Sequence, residues 1–279
     1  MTTEPARPDD PVLADRAGAW KGAYVHIPFC RRVCPYCDFA VVAGRDDLRD
    51  EYTGALLAEI GMAEPFGPLR AIAFGGGTPS QLPAGSLGRI VEALAARFGL
   101  DTDAEVSLEA NPEDWSAEYA RDLVAAGFTR LSLGAQSFDP LVLGDLGRLH
   151  TPDQARRAVA EARDAGFAGV NLDLIFGSPA ESEGSWDRTV AAALDCEIDH
   201  LSTYALTVER GTELSRAVRA GAPAPDPDRQ ADRYERAGAA ASGAGLVRYE
   251  TSNHARPGSA CAYNLLTWAQ GEYEAFGTA

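Results

Sequence analysis

An α/β fold built on a parallel sheet is the expectation for this chain, and three observations carry it. Short apolar strand candidates alternate with helix candidates of about 10–15 residues, the pattern of repeated βαβ units. The phrase Ala125-Ala-Gly-Phe-Thr-Arg-Leu-Ser-Leu-Gly returns as Asp164-Ala-Gly-Phe-Ala-Gly-Val-Asn-Leu-Asp and, more weakly, as Ala241-Ser-Gly-Ala-Gly-Leu-Val-Arg-Tyr-Glu. Each reads as a helix end, a glycine where helices stop, and a strand. The 279 residues, 46% of them hydrophobic, are enough for one large core, and a βα barrel uses such a length as a single unit.

Taken in order, residues 1–21 are polar and Pro-rich and read as a loosely docked leader. The first strand, 23–28, runs directly into a group of cysteines. Residues 47–63 form a helix, with Tyr52, Leu56, Leu57 and Ile60 at helical spacing. An apolar strand, 69–74, stops at Gly75-Gly76-Gly77. A helix over 86–98 gathers Leu87, Ile90, Val91 and Leu94 on one face, and a strand follows at 104–108. Next come a helix at 117–126 closed by Gly127, a strand at 130–133 and a short helix at 140–146. The alternation continues with a helix at 152–165 ended by Gly166, a strand at 169–176, a helix at 185–194 and a strand at 200–206. Residues 220–227, Ala-Gly-Ala-Pro-Ala-Pro-Asp-Pro, read as a long loop or linker. A helix at 228–242 and a strand at 247–251 complete the pattern. The domain reading is a leader (1–21), a barrel core (22–225) and the beginning of a C-terminal region (226–279). In such barrels the chemistry sits at the C-terminal ends of the strands.

The bulk composition narrows the function. Formal charge is −16, from 25 Lys+Arg against 41 Asp+Glu, which argues against nucleic acid or an anionic membrane as the main partner. No apolar run approaches the roughly 20 residues that a membrane-spanning helix needs. Residues 1–10 hold no apolar stretch of a secretory signal, so the expected compartment is the cytoplasm. Five cysteines, three of them within eight residues, do not suit a secreted disulfide scaffold.

Those three form Cys30-Arg-Arg-Val-Cys34-Pro-Tyr-Cys37, or C-x₃-C-x₂-C. A disulfide between two of them would strand the third. Structural zinc ordinarily takes four protein ligands, and no fourth Cys or His follows at a suitable spacing. A 4Fe–4S cluster held by three thiolates keeps one iron open to a small molecule. Tyr36, directly before the last cysteine, is placed to stack on an adenine. A cluster or zinc ion that merely pins a loop is the plain alternative.

The segment Tyr24-Val-His-Ile-Pro-Phe-Cys-Arg-Arg-Val-Cys-Pro-Tyr-Cys-Asp-Phe resembles the opening of a radical SAM protein. More narrowly, it resembles the group that contains oxygen-independent coproporphyrinogen III oxidase and the radical SAM heme chaperones, over about residues 22–279. The resemblance implies a partial (β/α)₆ TIM-like barrel with the start of a C-terminal extension. It also implies a 4Fe–4S cluster on Cys30, Cys34 and Cys37, with S-adenosylmethionine (SAM) bound to the open iron through its amino and carboxylate groups. By the same resemblance, Gly76, Gly77 and Thr78 in Phe74-Gly-Gly-Gly-Thr-Pro meet the SAM amino group, as does Glu109. Arg148 takes the carboxylate, a match for a bidentate guanidinium, and Gln136 and Asp173 hold the ribose. Tyr24 and Ala205 also stand at family contact positions. His26 and His150 lie near these motifs as braces, while Cys196 and His200 read as structural residues at a strand start.

The oxidase pattern resembles C-x₃-C-x₂-C-x-C, and the place of its further cysteine is Phe39 here. That departure points to the chaperone branch, a binding and delivery role with heme as cargo and a heme-acceptor protein as partner. The alternative is the oxidase. There an electron donor would drive cleavage of SAM to a 5′-deoxyadenosyl radical, which would abstract hydrogen from a propionate of coproporphyrinogen III and lead to loss of CO₂. The chaperones' His-Asn-x-x-Tyr-Trp heme motif corresponds to Tyr263-Asn-Leu-Leu-Thr-Trp. Asn264 and Trp268 match it, and Tyr263 stands in place of His. Tyr263, Cys261 and His254 therefore become alternative heme ligands. The last residues, Ala275-Phe-Gly-Thr-Ala, resemble the approach to a further C-terminal domain, so a truncated chain is expected.

Overall fold

A computed structural model describes residues 20–182 and 184–278. The leader reading of residues 1–19 lies outside the described residues. The strand that follows it, β1 (Lys21–Ile27), leads into a loop carrying the two-residue pair β2 (Phe29–Cys30) and β3 (Val42–Ala43). β4 (Leu69–Gly76), β5 (Leu100–Ala110), β6 (Arg130–Gln136), β7 (Gly169–Phe176) and β8 (His200–Ala205) then stand beside β1 in chain order, all parallel. These six strands are the expected six βα units.

Period-two alternation sorts their side chains. Val25, Ile72, Val106, Leu108, Leu131, Leu133, Val170, Leu172 and Leu201 point outward into a continuous buried core under the helices. Tyr24, Ser107, Glu109, Ser132, Asn171, Asp173, Ser202 and Tyr204 point the other way and line one shared cavity. Residues from all six strands reach a single cavity only if the sheet curls, so the wall is a partial barrel. It stays open, because its edge strands do not pair with each other.

Local chemistry explains the helices outside this wall. α1 (Arg49–Met62) buries Thr53, Leu56 and Ile60, and α2 (Ala84–Phe98) buries the stripe of Leu87, Ile90, Val91 and Leu94. α3 (Ala117–Ala125) starts where the Ser116 hydroxyl accepts the Tyr119 N–H, and α4 (Pro140–Asp145) starts likewise on Asp139. α5 (Pro152–Ala165) has a capping box, Thr151 with Gln154, and ends at Gly166 in the left-handed region, φ 99°. α6 (Ser185–Leu194) covers the next crossover.

Departures from expectation cluster after β8. A short helix, α7 (Glu213–Arg219), precedes the loop, and α8 (Pro227–Gly243) begins on the Asp226 cap. The strand expected at 247–251 is only β9 (Val247–Arg248), which pairs antiparallel with β10 (Asn253–Ala255), itself antiparallel to β8. α9 (Ala262–Trp268) packs against β1 and β4 at the N-terminal end of the barrel, with Leu266 fully buried beside Gly22. β11 (Glu272–Phe276) then pairs parallel with the free edge of β1. Residues 226–278 thus add strands to the same sheet as the core. No helix among the described residues is long and apolar enough to cross a membrane.

Candidate cofactor site at the mouth of the barrel

The three cysteines lie on the loop that leaves β1 at the C-terminal end of the wall. None is in a disulfide and each is partly buried. Hydrogen bonds shape the loop: Cys37 N–H donates to Cys34 O (3.1 Å), and Leu214 N–H reaches back to Pro35 O (2.8 Å). Arg31 pairs with the buried Asp114 carboxylate. Each sulfur also has its own donor. The Thr78 hydroxyl lies 3.5 Å from Cys30 Sγ, Arg148 Nη1 lies 3.5 Å from Cys34 Sγ, and the Phe39 main chain bonds to Cys37. Burial pushes the Cys30 and Cys37 thiols up, opposed at Cys30 by Thr78 and at both by the Arg148 charge. Among the described residues no three side chains converge on one metal ion. Three separated sulfurs, each met by a donor, suit a cube whose corners take one thiolate apiece better than they suit a lone zinc ion.

Below the loop stand the candidate SAM residues. Gly76 has φ +104°, and a Cβ there would lie 2.5 Å from the His26 ring; a Cβ on Gly77 would lie 2.7 Å from the Pro28 main chain. Crowding by β1 thus explains these two glycines, with no ligand needed. The Gly76 main chain bonds to Glu109. Glu109 is open to the cavity yet ringed by protein, and burial, reinforced by the Asp173 charge, pushes its pKa up to about 7. The Asp173 carboxylate accepts from Ser132 Oγ (2.7 Å) and Asn171 Nδ2 (2.8 Å), and its pKa is also raised by burial. Arg148 donates from Nη2 to Gly134 O (3.0 Å) and to Asn111 Oδ1, while its buried Nε keeps no partner. Nη1 of the same guanidinium lies beside Cys34, and an unpartnered N–H on it suits a carboxylate. Gln136 closes β6 in the left-handed region, φ 61°, where the β6–β7 register slips. Glu197 (φ 55°) and Gln270 (φ 56°), both at turns, share that region, so it is the position of Gln136 at the strand end, beside Arg148, that makes it a candidate.

Tyr24, Glu109 and Asp173 share the central cavity of ≈ 170 Å³, and Arg148 and Gln136 meet beside Gly134. Tyr36 instead packs against Val142, Leu146, Ile175 and Leu206, at the edge of a second cavity of ≈ 250 Å³. Ala205 ends β8 and is exposed. Phe39 is 66% exposed, and its main chain bonds to Cys37. His26 and His150 are buried and bonded, to Ala40 O (2.8 Å) and to Ala135 O (2.9 Å) respectively.

The five C-terminal candidates do not form one site. Cys261, Tyr263 and Asn264 line the floor of the central cavity, where Tyr263 packs on Tyr24 with centroids 6.0 Å apart. Burial pushes the Cys261 thiol up to about 12. His254 pairs with Leu201 on the outward face and lies against Gly238 of α8; burial depresses its pKa to about 4. Trp268 is partly exposed at the end of α9. One residue read as merely structural turns inward. His200 lines the cavity and bonds to Asn171 Oδ1 (2.6 Å) and the Tyr249 hydroxyl (2.8 Å). The polar alternation His200, Ser202, Tyr204 in β8 is the signal that marks it.

A three-cysteine loop over the C-terminal mouth of an open six-stranded βα wall defines a class, and the family model described as the radical SAM superfamily matches residues 24–193. The chain belongs to that superfamily and, within it, to the family of the heme chaperone HemW. It is 44% identical to the heme chaperone HemW of Mycobacterium tuberculosis, over 94% of this chain and 69% of the relative. It is 36% identical to the Escherichia coli heme chaperone HemW, over 91% and 68%. Among solved structures it resembles the radical SAM enzyme coproporphyrinogen III oxidase (HemN) from Escherichia coli, with TM-score 0.78 and 28% identity. That match covers 90% of this chain and 60% of the oxidase. The family uses a 4Fe–4S cluster and SAM, and the cysteine loop and polar cavity fit both.

Proposed function

We propose that this protein is a cytoplasmic heme chaperone that holds a 4Fe–4S cluster and SAM, binds heme and passes it to an acceptor protein. The observation that carries the reading is 44% identity over 94% of the chain to a protein named as a heme chaperone. Cys30, Cys34 and Cys37 would hold three irons. Glu109 would take the SAM amino group, Arg148 its carboxylate, and Gln136 and Asp173 its ribose. Tyr36 would border the adenine. When bound, this pair supplies one-electron chemistry. Thr78, Arg148 and the Phe39 N–H stabilise the thiolates that ligation requires.

A heme is larger than either cavity, ≈ 170 and ≈ 250 Å³, so it would lie on the surface of the mouth. Exposed apolar side chains stand on the connections that follow the strands: Val33 and Phe39 after β1, Leu141 on α4 and Leu149 after it, and Val208 after β8. Exposed apolar residues on connections at one end of the barrel suit a flat apolar ligand. The cavity floor (Cys261, Tyr263) and the outer sheet face (His254) lie away from this mouth.

The test is anaerobic heme titration of the reconstituted protein, read by its Soret band. Saturation near one heme per chain is expected. Phe39→Asp and Leu149→Asp should weaken binding at least several-fold, while His254→Ala and Tyr263→Phe leave it unchanged. Absence of binding sinks the chaperone reading. The likeness to the oxidase then makes coproporphyrinogen III decarboxylation, under reducing conditions, the next assay.

A further inference from the structure

A chain of hydrogen bonds crosses the barrel from its floor to Asp173. Asn264 Nδ2 on α9 donates to the Tyr249 hydroxyl (3.1 Å), which meets His200 Nε2 (2.8 Å). His200 Nδ1 meets Asn171 Oδ1 (2.6 Å), and Asn171 Nδ2 donates to Asp173 Oδ1 (2.8 Å) and to Ser132 Oγ (2.6 Å). Ser132 closes the loop by donating to Asp173 Oδ2 (2.7 Å).

Partner chemistry sets the direction of every proton. An ionised carboxylate only accepts, so the Asn171 NH₂ faces Asp173 and its carbonyl faces His200. His200 Nδ1 therefore carries a hydrogen. The ring is 2% exposed, and burial together with the Arg130 charge keeps it neutral. Nε2 then has a lone pair and accepts from the Tyr249 hydroxyl, whose oxygen accepts from Asn264. One tautomer satisfies the whole chain.

A buried polar network of this kind can serve stability alone. Its end point argues for more. Asp173 faces the cavity, and Asn171 and Ser132 each hold one of its oxygens, with Ser202 a further donor to it; Ser202 Oγ also donates to Asn171 Oδ1 (3.2 Å) beside the shorter His200 bond. The plane of the carboxylate is thereby fixed, and with about four lone-pair sites it can still accept from a ligand. We propose that His200, locked by Tyr249 and Asn264, is a positioning residue for SAM: it fixes the Asn171 carboxamide, which aims Asp173 at the ribose hydroxyls. This inference rests on the SAM reading of Asp173 given above.

Calorimetric titration of the cluster-reconstituted protein with SAM tests it. His200→Leu should weaken SAM binding about tenfold, equivalent to roughly 1.4 kcal/mol. His200→Asn, which keeps a donor near the Nδ1 position, should recover most of that loss. Asp173→Asn should weaken binding by itself, and adding His200→Leu to it should cost nothing further. If the unaltered protein does not bind SAM, the SAM reading falls and this proposal with it. If the unaltered protein binds SAM and His200→Leu binds equally well, or its loss simply adds to that of Asp173→Asn, the positioning role is overturned while the SAM reading stands. Should His200→Leu not fold, Tyr249→Phe removes only the hydroxyl. It should weaken binding several-fold, and again only where Asp173 is intact; an equal effect in both backgrounds overturns the proposal.

Discussion

Glu109 is the residue whose chemistry most depends on solution conditions. Its pKa of about 7 stands above its ordinary 4.5. A carboxyl raised by folding contributes stability that is present below the ordinary value and is lost as pH rises through about 7. Glu109→Gln should therefore melt higher than the unaltered protein at pH 8, and the difference should shrink as pH falls and vanish below about pH 4.5. A bound ammonium favours the ionised form, so the sign reverses for SAM. Affinity should rise by about tenfold between roughly pH 6 and 8 relative to Glu109→Gln, as calorimetry at several pH values would show. The type and place of this residue are readable in Val106-Ser-Leu-Glu-Ala-Asn-Pro, but its shifted pKa is not, because that depends on burial by the folded barrel and, second to it, on Asp173 two strands away. His200 shows the same limit. Its neighbours in sequence suggest an ordinary strand start, and only the register with Asn171 turns it into part of the cavity wall.

At the scale of elements, the strands and helices up to β8 are legible because periodicity and end signals agree. Pro152–Ala165 has both its cap and its glycine stop in plain view. The segments after α8 are not. Tyr263-Asn-Leu-Leu-Thr-Trp is too short for a helical stripe, and Glu-Tyr-Glu-Ala-Phe is too polar for a parallel strand. Tertiary contact decides both. Leu266 fills the space over Gly22 and Gly271, and β11 is held by main-chain pairing to β1. Leu266→Ala should cost roughly 2–5 kcal/mol in denaturant melts. Because Tyr263 and Asn264 ride on the same helix, it should also weaken SAM binding more than a surface change of equal stability cost.

Across the whole molecule, core and cofactor loop are separate investments of sequence. The core lies between sheet and helices, whereas the cysteines sit on a half-buried loop at one end. Cys34→Ala should therefore abolish the cluster absorbance while the far-UV circular dichroism and the melt of the apo protein stay close to those of the unaltered chain. A full 4Fe–4S spectrum in that variant would remove the cluster assignment. The pairing of Lys21 with Glu272 through Val25 with Phe276 has a consequence in time. During synthesis β1 has β4 as its partner long before β11 has left the ribosome. The strand that delivers the cysteine loop is thus the last of the wall to be secured on both edges, and through most of translation its outer N–H and C=O groups are exposed to other nascent chains.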